Sequence, residues 1–149
     1  MLLPLAAILT GQGLKTRKVS DEFVGAWNLV SFQRKDKAGA ITFPMGEKAV
    51  GRLTYDGLGR MSAQIMRPGR PTGDKVAAYD GYIAYYGTYE VKEKEGAVIH
   101  HVEACLYPNW VGSDQRRLYR FSEGKLILRA INGSGGPGTE SILIWERSR

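Results

Sequence analysis

Short runs of alternating apolar and polar residues, each closed off by Gly, Asp, Asn or Pro, follow one another along most of this chain. The pattern is a tight constraint, because a period of two puts alternate side chains on opposite faces of a pleated strand and cannot make a helix stripe. The runs predict strands at 26–34, 49–55, 60–66, 84–92, 97–106, 115–121, 124–130 and 140–147. Turn chemistry separates them: YDGLGR at 55–60 carries Asp-Gly, EKEGA at 93–97 a glycine before the next strand, and SEGK at 122–125 a tight hairpin. INGSGGPGTE at 131–140 is a looser glycine-rich loop. The longest break, RPGRPTGDKVAAYDGY at 67–82, holds two prolines that forbid a central strand, with a short helix expected around KVAAYDGY.

Eight antiparallel runs joined mostly as sequential hairpins leave an up-and-down barrel or a sandwich. The expectation is the all-β eight-stranded antiparallel barrel, whose closure removes exposed edges and whose interior holds side chains or one small ligand. The 149 residues suffice for a core without staples. They divide into a tail or short helical lead-in over 1–22 and the barrel over 23–149.

Composition excludes several classes. One cysteine, Cys105, permits no intrachain disulfide, and two histidines and one cysteine build no Cys/His zinc cluster; no metal is expected. The net charge is +6, but the basic residues are spread along the chain without a basic helix or zinc finger, so no nucleic-acid partner is expected. The opening MLLPLAAILTGQGLKTRK has an apolar run of about eight residues, too short to span a bilayer, and no Lys or Arg precedes it. It reads as an ordinary tail of a cytoplasmic protein, with secretion or a periplasmic location left open and no membrane partner.

Gly25-x-Trp27 at the start of the first strand resembles the G-x-W signature of lipocalins and related calycins. The resemblance implies that Trp27 closes one end of the barrel, with an Arg near the last strand packed over it. The chain ends IWERSR, so Arg147 is the candidate, with Arg149 behind it. A guanidinium on an indole gains cation–π energy and caps nearby carbonyls. Further blocks resemble the lipocalin-like domain family of small bacterial and fungal proteins: GRLTYDGLGRMSAQIMRPGRP, YDGYIAYYGTYEV, HHVEACLYPNWVGSDQRRLYRF and LIWER. That family implies the barrel and no single activity.

Alternation assigns an inside. Tyr85, Gly87, Tyr89 and Val91 should face in, as should Gly51, Leu53 and Tyr55, and then Gln115, Arg117, Tyr119 and Phe121. The run VIHHVEACLY offers two faces. One is Val98, His100, Val102, Ala104 and Leu106; the other is Ile99, His101, Glu103, Cys105 and Tyr107. With the first inward, His101 and Glu103 are wet. With the second inward, they enter the cavity and Glu103 pairs with Arg117.

The ligand-binding candidates are Tyr85, Tyr89, Trp110, Arg117 and Tyr119, with Trp110 either a lid at the rim or packed outside or in a homodimer. The first functional reading is a binder of a small, partly apolar organic molecule. The second is a cofactor-independent isomerase or cyclase using His101 and Glu103 for proton transfer. A structural module with a solid interior is the third. No G-x-S-x-G, P-loop or dinucleotide fingerprint is present, and no cofactor is expected. Cys105 reads as a small buried hydrophobe, Met61, Ile65 and Met66 as core or pocket wall, and Arg67 and Arg70 as solvent-facing loop residues.

Overall fold

The computed structural model describes residues 16–149. In chain order it has α1 (Val19–Phe23), β1 (Gly25–Lys35), β2 (Ile41–Thr42), β3 (Val50–Tyr55), β4 (Arg60–Met66), α2 (Lys75–Asp80), β5 (Tyr82–Lys92), β6 (Ala97–Cys105), β7 (Asp114–Ser122), β8 (Lys125–Ile131) and β9 (Glu140–Arg147). Each strand from β3 to β8 pairs antiparallel with the next; β1 pairs with β3 on one side and β9 on the other. An eight-stranded barrel results, with β2 a two-residue stub on the end of β1. The eight expected strands are those of the barrel. β2 escaped the sequence reading because two exposed residues carry no periodicity. Residues 1–15 of the lead-in lie outside the described residues, and its last turn is α1.

The hairpins realise the turn chemistry. Glu123 and Gly124 both take positive φ between the paired Ser122 and Lys125, as a two-residue hairpin in step with strand twist requires. Asp56 accepts from the Leu58 and Arg60 amides, fixing the β3–β4 turn. Helix α2 starts at the Asp74 cap, whose carboxylate accepts from the Ala77 amide.

One end is stoppered. α1 lays Phe23 into the barrel mouth, fully buried, with edge-on rings of Tyr55, Tyr119 and Phe121 at 5.0–5.3 Å. Trp27 lies beside it and donates its indole N–H to the Phe23 carbonyl at 2.8 Å. From the end of β9, Arg147 stands over the indole at 4.3 Å and donates to the carbonyls of Val24 (2.7 Å) and Glu22 (2.6 Å). These bonds complete the C-terminal carbonyls of α1 that no helix turn can reach. Gly25 has φ +134°, and a Cβ there would meet the Arg147 guanidinium at 2.6 Å. The positive φ is what requires the glycine of G-x-W, and a side chain there would also push aside the arginine that crosses it.

The β5–β6 pair contains the irregularity that decides the interior. Tyr85 opposes Cys105, Tyr86 opposes Ala104, and Gly87 opposes Val102, so Glu103 is the extra residue of a β-bulge. The bulge reverses the inside–outside phase of β6. Val98, His100 and Val102 face in on one side of it, Cys105 packs against the core on the other, and His101 and Glu103 face out. A Cβ on Gly87 would lie 1.9 Å from the His101 carbonyl oxygen, a backbone atom that cannot yield.

Two stability tests follow from this frame. Trp27→Ala should cost about 3–5 kcal/mol in urea unfolding, as truncation of a large core aromatic does; a loss under about 1 kcal/mol would show the indole is not a core residue. Gly87→Ala should destabilise by at least about 2 kcal/mol despite adding one methyl, because bulge and side chain compete for one space.

Candidate functional site

At the barrel end away from Phe23, a narrow slot opens between the staves. Phe32, Leu53, Ile65, Leu128 and Leu143 make its apolar walls, and Tyr85, His100, Gln115, Arg117 and Trp145 bring polar atoms to its lining. The space within reach of the centre of a water molecule is about 60 Å³. The slot shares Ile83, Trp110, Gln115, Gly133 and Ser134 with a wider vestibule of about 830 Å³ that extends to Tyr79, Tyr82, Cys105 and Tyr107. Trp110 therefore stands between an inner and an outer chamber. It closes the 3-10 turn Pro108–Trp110, edge-on to Tyr85 at 5.8 Å and to Tyr107 at 6.3 Å. The Ser113 hydroxyl donates to its carbonyl at 2.7 Å and holds the turn.

His100 is the centre of the polar chemistry. It is 1% exposed, and its ring nitrogens meet the Tyr55 hydroxyl at 2.7 Å and the Tyr85 hydroxyl at 2.9 Å. A neutral imidazole has one N–H and one lone pair, so one tyrosine gives its proton to the ring and the other receives one. Burial pushes the His100 pKa well below 6.5, helped by the Arg117 and His101 charges. Burial also raises Tyr55 and Tyr85, while Arg117 pulls both back. All three groups are held neutral, and their mutual hydrogen bonds satisfy ring nitrogens that would otherwise be costly to bury.

The sequence candidates fall into three places. Tyr85, Trp110 and Arg117 line the slot. Tyr89 and Tyr119 point inward but below it, in the stopper: Tyr89 donates to the Asp56 carbonyl at 2.8 Å and packs on Tyr55, and Tyr119 packs on Phe23. Strand alternation gave their face but not their height along the barrel axis. His101 and Glu103 are on the outer surface, which corrects the reading that turned them into the cavity. His101 bonds to Asp114 at 2.6 Å with Glu90 at 4.0 Å, and Glu103 is exposed, so Glu103 and Arg117 form no pair. The physical reason is desolvation: of two possible faces, the chain buries the one with a single neutral imidazole and leaves the carboxylate wet.

Two residues with a part in the slot carried only weak signals. His100 stood on the apolar face of its strand, where a lone imidazole must find partners inside the fold. Trp145 lies in the last strand as one apolar residue among several; its 1% exposure and its indole N–H, without a hydrogen-bond partner among the described residues, emerge only from packing. Arg67 and Arg70 are tied to backbone carbonyls, Arg67 to Pro44 in a loop and Arg70 to Ala78 in α2, at 2.7 Å each, and are not among the slot lining.

Comparison with known proteins places this geometry in context. A family model described as "Lipocalin-like domain" matches residues 24–148. A 4'-hydroxy-3'-methoxypropiophenone carrier protein of Aspergillus oryzae is 34% identical, over 58% of this chain and 96% of the relative.

The buried imidazole makes stability depend on pH. With a folded-state pKa below the unfolded one of 6.5, His100 stays neutral in the barrel while the unfolded chain takes up a proton. Stability is therefore fully present above about pH 6.5 and falls below it, by at most about 1.4 kcal/mol per pH unit. Urea unfolding at pH 7.5 and pH 5.5 should show this decline in the native protein. His100→Gln should be less stable at pH 7.5 and flatter between the two; equal slopes would contradict the assignment.

Proposed function

The chain belongs to the lipocalin-like domain family, and on that premise we propose that it is a carrier that takes one small, partly apolar aromatic molecule into the slot beneath Trp110. The observation that carries this reading is the asymmetry of the barrel. One end is filled by Phe23, Trp27 and Arg147, whereas the other leads through a vestibule to a slot with mostly apolar walls and a few convergent polar groups. Such a lining suits an aromatic body with few oxygen atoms. The Aspergillus oryzae relative, by its name a carrier of an aryl ketone, supports the same class of cargo.

The inner slot is small, so a ligand of two or three functional groups on one ring needs Trp110 to swing toward the vestibule. Trp110 has room to do so, since it is half-buried on a short turn and the outer chamber lies beyond it. The indole then becomes a wall of the occupied site rather than a door shut over an empty one. The proton-transfer alternative loses its residues, because His101 and Glu103 are outside and both nitrogens of His100 are bonded to tyrosines. In this reading the cargo leaves chemically unchanged.

Calorimetric titration of the full chain with 4'-hydroxy-3'-methoxypropiophenone tests the proposal. We expect one site per chain, recovery of the ketone unaltered after incubation, and affinity weakened about ten-fold by Trp110→Ala, a typical cost for removing a central aromatic contact. His101→Ala and Glu103→Gln should bind as the native protein does. Failure of this ketone, propiophenone and propylbenzene all to bind, or weakening by the two outer-face variants, would overturn it.

A further inference from the structure

We propose that the slot selects its cargo through acceptor oxygens, and that the ligand's carbonyl or ionised phenol oxygen is taken by two donors, the Trp145 indole N–H and the Arg117 guanidinium. The inference rests on the slot being the binding site and specifies what it recognises.

Trp145 supplies the first observation. It lines the slot at 1% exposure, and its Nε1 has no partner among the described residues. An indole nitrogen is a donor only, and leaving a buried donor unmade costs about 1–3 kcal/mol. Trp27 avoids that cost by bonding to the Phe23 carbonyl. Trp145 has the same chemistry and lines the slot, so a ligand seated there is the proposed source of a lone pair. A phenylalanine would fill the same wall without the orphaned donor, so the N–H is explained by a partner that arrives with the ligand.

Arg117 supplies the second. It reaches the slot lining from β7, and among the described residues it forms no salt bridge. It donates to the Arg116 carbonyl at 3.0 Å and, at 3.4 Å, to the Gln115 side chain, and it lies near enough to the Tyr85 hydroxyl to favour its ionised form. Five N–H groups are available on a guanidinium, and these two bonds leave donor capacity unused. The charge is felt inside, since Arg117 acts on His100, Tyr55 and Tyr85 alike.

The third observation is the missing opposite sign. Among the described residues no Asp or Glu lines the slot, and Asp80 is the one carboxylate in the vestibule lining. Both ring nitrogens of His100 are engaged by the two tyrosines, so the imidazole presents no free acceptor to the slot. A donor-rich, positively charged and mostly apolar chamber is matched by a conjugated oxygen on an aromatic body and is hostile to a cation.

The experiment compares three molecules of one skeleton by calorimetry at pH 7 on the full chain: propiophenone, propylbenzene and 1-phenylpropan-1-amine, which is protonated there. We expect propiophenone to bind at least about ten-fold tighter than propylbenzene, the factor a hydrogen bond to a charged group brings, and the amine to bind more weakly than either. Trp145→Phe and Arg117→Met should each shrink the ketone-to-hydrocarbon ratio about three-fold or more, with thermal unfolding confirming that each variant is folded. If either variant does not fold, the other carries the test. Equal affinities of ketone and hydrocarbon in the native protein, or a ratio unchanged in the folded variants, would overturn the inference while leaving the carrier reading intact. Binding of none of the three would remove both.

Discussion

The hydrogen bonding of β1 to both β3 and β9 is the constraint on which the rest of this molecule depends. It converts a run of hairpins into a closed tube and brings the start of β1 and the end of β9 to the same rim, where Arg147 can lie on Trp27. Once the arginine is there, it lies across Gly25, the last carbonyls of α1 acquire donors, and Phe23 is held in the mouth. A cation–π contact of this kind contributes about 0.5–2 kcal/mol by itself. Its larger effect is organisational, since it ties the stopper to the strand pairing that closes the barrel.

Filling one end is what leaves the other end distinctive. The aromatic cluster of Phe23, Tyr55, Tyr89, Tyr119 and Phe121 occupies the lower interior. Above it, the Tyr55–His100–Tyr85 chain forms a neutral polar floor, and above that the walls are apolar up to Trp110. The buried imidazole links the two zones: Tyr55 belongs to the stopper and Tyr85 to the slot. Placing a polar network there fixes side-chain positions that an all-aliphatic interior would leave interchangeable, provided every member is satisfied. Arg117 and Trp145, with donor capacity left over, are set apart from that network and give the cavity its chemical bias.

The bulge at Glu103 shows how a local backbone event selects a functional surface. Without it, one face of β6 would run unbroken from Val98 to Leu106. With it, His100 and Cys105 both turn toward the interior, although they lie on opposite faces by simple alternation. His101, left outside between Asp114 and Glu90, becomes part of a solvated charge cluster on the outer wall. The same strand thus feeds the interior at two heights, one neutral imidazole at mid-barrel and one thiol in the vestibule.

The sequence by itself determined the eight strands, the hairpin turns and most of the inward faces, because period-two patterning and turn residues are local properties of the chain, while Trp27 and Arg147 at the closed end came from the family resemblance of G-x-W. It also brought Tyr85 and Arg117 into view through alternation, and Trp110 as a large aromatic on a loop at the barrel rim. Only the tertiary structure decided that Tyr89 and Tyr119 serve the stopper, that His100 rather than His101 is inside, and that the Trp145 N–H is left without a partner. Those outcomes depend on height along the barrel axis, on one inserted residue and on which neighbours arrive from distant strands. None of them is encoded in a window of neighbouring residues, because closure couples the first strand to the last.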